Sequence, residues 1–186
     1  MPFVKICGLK DARTAQAAQD AGADALGLVF APSRRQVSVK QAQEMVQRVK
    51  ARWVAVVKDI LEADLTALME AVPLWAVQFH GLAPYDWITL VQAHGLIAID
   101  TKWPTTADIA LLDGPDPGSG QERDWTRPQG DRPVWIAGGL SPDNVGTVVQ
   151  RLHPDGVDVS SGVEIDGVKD IHLIQQFIKE AKSCQK

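Results

Sequence analysis

The sequence is poor in cysteine, and this shortage excludes two classes of protein. Only Cys7 and Cys184 occur among its 186 residues, too few for the disulfide framework of a small secreted domain. They show neither CxxC nor Cys/His spacing, so we expect no metal site. Both thiols should be free, and we expect no disulfide between them.

Long apolar runs and an excess of positive charge are also missing. The apolar stretch around residues 25–31 is far shorter than the roughly 18 residues that cross a bilayer, and the first residues lack the apolar core of a signal peptide. We therefore expect a cytoplasmic protein with no membrane partner. The net charge of -4 gives no general attraction for nucleic acid. An anionic small molecule could still bind where a few donors are focused in one cleft.

Short β-rich runs alternate with helical stretches along the chain. Helix start signals between the runs include Asp11, Ser38, and Ser141 followed by Pro142. Because the runs are apolar rather than strictly alternating, both faces of the sheet should be covered, which is typical of parallel sheets. The eight runs are FVKIC, DALGLVF, WVAVV, WAVQFH, LIAID, IALLD, PVWIAG and VDVSS.

These eight repeats predict an α/β fold, a (β/α)8 TIM barrel formed as a single domain by residues 1–186. An open doubly wound sheet is the alternative, which is disfavoured because no GxGxxG follows the first strand. The interval after LIAID is too short for a full helix, so the fifth helix should be missing or reduced to one turn. The segment after IALLD is rich in turn formers, so the sixth loop should be only weakly helical.

In a barrel of this kind, active-site residues lie where strands end and loops begin, on the carboxyl-terminal face. That rule selects Cys7, the APSRRQ loop after Phe30, Asp59, His80, Asp100, Asp113, Gly138 with Gly139, and Ser160 with Ser161 and Gly162.

Several motifs at these positions resemble the phosphoribosylanthranilate isomerase family of tryptophan biosynthesis. They are KICGL, SRRQVS, VQFHG, LLDGPDPGSGQERDW, IAGGLSPDNV and VDVSSGVE, in the family's order from residue 3 to residue 164. KICG, the GGL block and VDVSSGVE together are highly specific. The resemblance implies an Amadori rearrangement of a small phosphorylated substrate, with an acid and a base but no cofactor. It leaves open whether the protein is a monomer or a homodimer.

The resemblance assigns the two proton-transfer roles. Cys7 resembles the general base, which needs a thiol pKa lowered from about 8.5 toward neutrality. Lys5 is two residues away and so faces the same side of the strand, toward the substrate, where it could supply the necessary positive charge. Asp113 resembles the general acid, and we expect an apolar setting to raise its pKa. Its loop neighbours Asp116 and Asp124 are weaker candidates.

The remaining matches are binding residues. Arg35 matches the arginine expected to hold the anthranilate carboxylate, with Arg34 as its rival. Gly138 and Gly139 with Ser160, Ser161 and Gly162 match a phosphate site after strands seven and eight. Gly118 and Gly120 should cover the substrate from the sixth loop. His80 shares a strand face with Gln78, where hydrogen bonding within the barrel is favoured over catalysis.

The sequence also departs from the family pattern. Gln121 and Arg123 replace a lysine and a phenylalanine usually found in the sixth loop. Lys58 stands where an apolar residue is usual, so it could reach into the barrel mouth. Two other functions stay open: another phosphate-binding isomerase or epimerase, and a metabolite-binding barrel without catalysis. The related histidine-pathway isomerase is expected to use two aspartates, unlike the pair Cys7 and Asp113.

Overall fold

The computed structural model describes residues 1–81, 83–113 and 130–183. Eight parallel strands form a closed barrel in sequence order, with the first paired to the last. The TIM barrel prediction is therefore confirmed, and the alternative of an open doubly wound sheet is wrong. The strands are β1 (Phe3–Cys7), β2 (Ala25–Val29), β3 (Trp53–Val57), β4 (Ala76–Phe79), β5 (Ile97–Asp100), β6 (Ile109–Asp113), β7 (Val134–Ala137) and β8 (Gly156–Val159).

Helices cover the outside of the barrel. After β8 the chain forms a 3-10 turn and a short hairpin before the last helix. The helices are α1 (Ala12–Asp20), α2 (Val39–Arg48), α3 (Glu62–Ala71), α4 (Tyr85–Ala93), α5 (Val145–Leu152) and α6 (Ile171–Ser183). The turn is Ser161–Val163, and the hairpin strands are β9 (Glu164–Ile165) and β10 (Val168–Lys169).

Two of the three predicted helix starts are confirmed by capping hydrogen bonds. The Asp11 carboxylate accepts from the backbone N–H of Thr14 at 2.8 Å. Ser38 and Gln41 form a capping box at the start of α2. The prediction at Ser141 is wrong by a few residues, because α5 begins at Val145 and the preceding residues form a turn.

The segment between β5 and β6 contains no helix, so the prediction of a missing fifth helix is confirmed. Asp100, selected by the strand-end rule, holds this connection together. Its carboxylate accepts from the backbone N–H of Lys102 at 3.0 Å and from Thr105 Oγ1 at 2.7 Å. The sixth loop, residues 114–129, lies outside the described residues.

The barrel interior changes from aromatic to polar along its axis. At the amino-terminal end, the Phe3 ring stacks on Trp135 at 4.8 Å and on Trp75 at 5.5 Å between ring centroids. Gly156 makes this packing feasible, because a Cβ there would lie 2.6 Å from the Trp135 ring. Above this layer, Lys5 donates to Asp158. The interior is therefore closed at one end, which leaves the opposite end for the functional site.

Aspartates placed just before three strands tie neighbouring strands together at the amino-terminal end. Each carboxylate accepts a hydrogen bond from a backbone N–H of the preceding strand, at 2.8–2.9 Å. These bonds supply an acceptor at strand ends where the ladder stops. The pairs are Asp24 with Val4, Asp108 with Ala98, and Asp155 with Val134.

Candidate active site

A cavity of about 280 Å³ opens at the carboxyl ends of the barrel strands. It is lined by residues of β1–β4 and β6–β8 and of the loops after β2, β3, β4, β7 and β8. Most of the residues predicted from the sequence line it, although they are spread from residue 7 to residue 161. These are Cys7, Arg35, His80, Asp113, Gly138, Gly139, Ser160 and Ser161.

Four of the residues that the family resemblance assigned to the site are not part of this wall as the structure describes it, and the strand-end candidates Asp59 and Asp100 do not line it either. Gly118 and Gly120 lie outside the described residues, as does Cys184. Lys5 is fully buried beneath the cavity, so its side chain cannot touch a ligand there and acts on the site through its charge. Gly162 has a packing role, because a Cβ there would lie 1.8 Å from the Leu140 carbonyl oxygen.

The contact at Gly162 brings the loops after β7 and β8 together. Gly138 and Gly139 both have positive φ, 80° and 69°, a conformation that favours glycine. Asn144 holds the first of these loops by donating to the Gly139 carbonyl oxygen at 2.9 Å. The two loops predicted to bind phosphate therefore form one surface with small side chains, where backbone amides can approach an anion.

Cys7 ends β1 and lies against the interior of the barrel. Gly27 on β2 leaves room for it, since a Cβ there would lie 2.9 Å from the sulfur. No feature of the sequence indicates this role of Gly27. The thiol is 7% exposed and lines the cavity, so it is both shielded and within reach of a ligand.

The charges around Cys7 differ from the expectation. Lys5 Nζ donates to Asp158 Oδ2 at 2.8 Å, with 0% and 6% of the two side chains exposed. Burial raises the pKa of the Cys7 thiol, Lys5 opposes this, and Asp158 adds to it, so the net direction is upward. The prediction that Lys5 lowers this pKa toward neutrality is therefore wrong, because desolvation and the Asp158 charge outweigh Lys5.

Asp113 ends β6 and faces His80 at the end of β4. His80 Nδ1 lies 3.5 Å from Asp113 Oδ2, and the two side chains are 37% and 15% exposed. His80 thus contacts the predicted acid inside the barrel mouth. The Gln78 side chain is buried beside them with no hydrogen-bond partner for Oε1 within the described residues. Asp158 Oδ1 is also buried without a hydrogen-bond partner within the described residues. The side chains of Gln78 and Asp158 both line the cavity.

Arg35 follows β2 and is held by Glu164 on β9. Its Nε and Nη2 donate to the Glu164 carboxylate at 2.6 and 2.7 Å, a bidentate pair. Arg34 Nη2 and Lys169 Nζ donate to the same carboxylate at 2.9 and 2.7 Å. Arg34 is 59% exposed and does not line the cavity, so the structure brings Arg35 and not its rival to the site.

Two further findings concern ligands and membranes. Within the three described segments, no group of three or more His, Cys, Asp or Glu side chains could hold a metal ion. None of the helices in the described part of the chain combines the length and the apolar composition that crossing a membrane requires.

Comparison with known proteins identifies the family. Residues 4–180 match the model of the N-(5′-phosphoribosyl)anthranilate (PRA) isomerase family. A protein of that name from Listeria welshimeri is 40% identical, with 98% of this chain and 100% of the relative covered. The crystal structure of phosphoribosyl anthranilate isomerase from Thermus thermophilus has a TM-score of 0.85 and 31% identity, and covers 100% of both chains.

A second crystal structure adds a ligand to the comparison. It shows phosphoribosyl anthranilate isomerase in complex with reduced 1-(o-carboxyphenylamino)-1-deoxyribulose 5-phosphate. Its TM-score is 0.83 at 30% identity, and it covers 98% of this chain and 100% of that one. The resemblance noted in the sequence is thus confirmed: the chain belongs to the N-(5′-phosphoribosyl)anthranilate isomerase family, the isomerases of tryptophan biosynthesis.

Proposed function

We propose that the cavity isomerises N-(5-phosphoribosyl)anthranilate to 1-(2-carboxyphenylamino)-1-deoxyribulose 5-phosphate, with Cys7 as general base and Asp113 as general acid. The observation that carries this proposal is that a thiol and a carboxyl line one cavity from β1 and β6. An acid and a base on separate strands can act on different atoms of one sugar. A barrel that only binds a metabolite would not need this pair, and no cofactor takes part.

The two groups have distinct tasks. Asp113 gives a proton to the ring oxygen as the bond from that oxygen to C1′ breaks, and the nitrogen lone pair forms the C=N bond of a protonated Schiff base. The Cys7 thiolate then takes the proton from C2′, and the C–H electron pair forms the C1′=C2′ bond of an enol amine. Moving the 2′-hydroxyl proton to C1′ gives the ketone. A proton passed from thiol to carboxylate through solvent resets both groups, so the reaction is a net isomerisation.

Substrate binding is proposed for the rest of the wall. The amides of Gly138 and Gly139 and the loop from Ser160 to Gly162 hold the phosphate. The unpartnered acceptors Gln78 Oε1 and Asp158 Oδ1 suit ribose hydroxyl groups, which are donors. His80 contacts Asp113 and orients the acid. Lys5 acts on Cys7 through its charge and makes no direct substrate contact.

Arg35 is proposed to contact the anthranilate carboxylate. The Nε and Nη2 atoms of Arg35 donate to Glu164, so Nη1 is the guanidinium nitrogen that can face a ligand. Glu164 therefore positions Arg35 while neutralising part of its charge. We further propose that Gly118 and Gly120 contribute from the sixth loop.

The cellular setting is also a proposal. The chain has two cysteines, which suits the reducing cytoplasm. We place it there as a single-domain monomer or homodimer. No nucleic acid or membrane partner is part of the proposal.

The test is turnover of N-(5-phosphoribosyl)anthranilate, followed by the loss of its fluorescence on conversion. Cys7→Ser and Asp113→Asn should each lower kcat by about 10²–10⁴, the usual range for a lost general acid or base. Asp59→Asn is the matched control, because Asp59 is an exposed carboxyl at the same barrel end, with φ of 49° that asparagine tolerates. Full activity in Cys7→Ser or Asp113→Asn would remove that residue from the mechanism. A collapse of activity in Asp59→Asn alone would refute both assignments.

A further inference from the structure

Lys58 follows β3, lines the cavity and has no role in the mechanism above. It is an exposed residue. No side chain or backbone group in the described segments forms a hydrogen bond or ion pair with it. Its Cγ and Cε atoms lie 3.9 Å from where a Cβ on Gly81 would be, so the aliphatic chain runs along the backbone after β4.

The other cationic residues near the cavity already have acidic partners. Arg35 directs two nitrogens at Glu164, and its Cδ lies 2.6 Å from where a Cβ on Gly8 would be, so its stem lies over the end of β1. Lys5 is paired with Asp158 below the cavity. Of the cations that the described residues contribute to the cavity wall, Lys58 is the one without an acidic partner.

The barrel topology sets Lys58 apart from the proposed phosphate loops. β3 and β7 are four strands apart in a closed barrel of eight, so Lys58 stands across the mouth from Gly139. The substrate carries its phosphate on C5′ and its aryl group on C1′, at opposite ends of the ribose. With the phosphate at the loops after β7 and β8, the aryl end points toward β3 and β4.

We propose that Lys58 binds the aryl carboxylate of the substrate, as a cationic contact additional to Arg35. This inference rests on the proposed function and names the group that its cavity recognises at the far end. A lysine ammonium is a point charge on a flexible stem, so it can follow a carboxylate that Arg35, fixed by Glu164, reaches from one side only.

The expected effect is moderate and confined to binding. Lys58 is exposed, so an ion pair there is weaker than a buried one, and its loss should weaken binding about 3- to 10-fold. The carboxylate is remote from the bonds that change. Lys58→Met should therefore raise KM by that factor while kcat stays within about twofold.

The decisive experiment compares two ligands by calorimetry, independently of turnover. One is the product, and the other is 1-phenylamino-1-deoxyribulose 5-phosphate, which lacks the carboxylate. Wild type, Lys58→Met and the control Lys50→Met are each titrated with both. Lys50 is an exposed lysine before β3, at the other end of the barrel. Only Lys58→Met should lose affinity, and only for the carboxylated ligand, with a smaller loss in high salt.

Two calorimetric outcomes overturn the inference. Equal weakening of both ligands in Lys58→Met would assign Lys58 to the phosphate or to general structure, and unchanged affinity for the product would leave it without a binding role. A wild type that binds the product but converts no substrate would refute the proposed function alone. The calorimetric comparison would still decide the role of Lys58.

Discussion

Replacing Glu164 by glutamine should destabilise the protein and loosen the cavity wall. The carboxylate of Glu164 is 3% exposed and accepts four hydrogen bonds from cationic groups. Two come from Arg35, at 2.6 and 2.7 Å. The others come from Lys169 at 2.7 Å and Arg34 at 2.9 Å. Glutamine preserves the shape but offers a single acceptor oxygen, and its amide N–H groups would face the cations.

The loss in the free energy of unfolding depends on which cation is left buried without its partner. Arg34 can return to water, whereas the Lys169 side chain is 7% exposed. Lys169 keeps a hydrogen bond to the Ser160 carbonyl oxygen at 2.8 Å. Removing one partner of a buried pair costs about 3–5 kcal/mol, and the remaining bond reduces the expected loss to about 2–4 kcal/mol. For a chain of this length that loss lowers Tm by roughly 5–15 °C.

The pH dependence gives a second measurement with a definite sign. Burial would raise the pKa of Glu164, but hydrogen bonds from Arg35 and Lys169 outweigh it and lower the pKa to about 2. A carboxyl with a folded pKa below its unfolded value of 4.5 stabilises the protein above that value, and the stabilisation is lost as pH falls toward the folded pKa. The difference between wild type and Glu164→Gln should be complete at neutral pH and shrink between pH 4.5 and about 2.

Urea denaturation at several pH values measures both quantities, since urea adds no ions that screen the pair. The control is Glu44→Gln on α2, an exposed glutamate, for which the free energy of unfolding should change by less than about 0.5 kcal/mol. A difference below about 1 kcal/mol for Glu164→Gln, or one that does not change with pH, would refute the assignment of this carboxylate as the centre of the cluster.

Two further predictions concern the ends of the barrel axis. Alkylation of Cys7 by iodoacetamide should reach its half-maximal rate at a pH above the ordinary thiol value of about 8.5, because burial raises the pKa of this thiol; a midpoint near neutrality would contradict this. Gly156→Ala should lower the free energy of unfolding by about 1–3 kcal/mol through overpacking, since the new Cβ would lie 2.6 Å from the Trp135 ring. The double variant with Trp135→Phe should recover part of that loss in the same denaturation assay, and an additive loss would argue against the clash.

The barrel could be predicted from the sequence because each of its strands produces a local pattern of residues. Parallel strands covered on both faces appear as apolar runs, and residues 101–108 are too few for a helix that crosses the barrel. The start of α5 was predicted too early because Ser141 and Asn144 both carry capping side chains, and the chain uses Asn144 to hold a turn first. The hydrogen bonds of the aspartates before β2, β6 and β8 could not be predicted in this way, because each carboxylate accepts from a backbone N–H of a neighbouring strand.

The members of the site could be predicted, but their partners could not. The strand-end rule and the family motifs selected Cys7 and Asp113, both of which line the cavity. Glu164 is 129 residues from Arg35 in sequence, and nothing in SRRQVS indicates that its second arginine is held by a carboxylate. Likewise Gly27 has no local feature that relates it to a thiol on the neighbouring strand.

Burial of Cys7, together with the pairing of Lys5 with Asp158, explains why the expected lowering of the thiol pKa was wrong. Barrel closure sets β1 beside β8, with Lys5 opposite Asp158, so the lysine charge is balanced before it can act fully on the sulfur. Fewer Cys7 side chains are then ionised at neutral pH. Each thiolate that does form is a stronger base, because basicity rises with pKa, and removing a proton from carbon demands basicity. For the proposed removal of the C2′ proton, the raised pKa of Cys7 therefore has two opposing effects: fewer thiolates are present, and each one accepts the proton more readily.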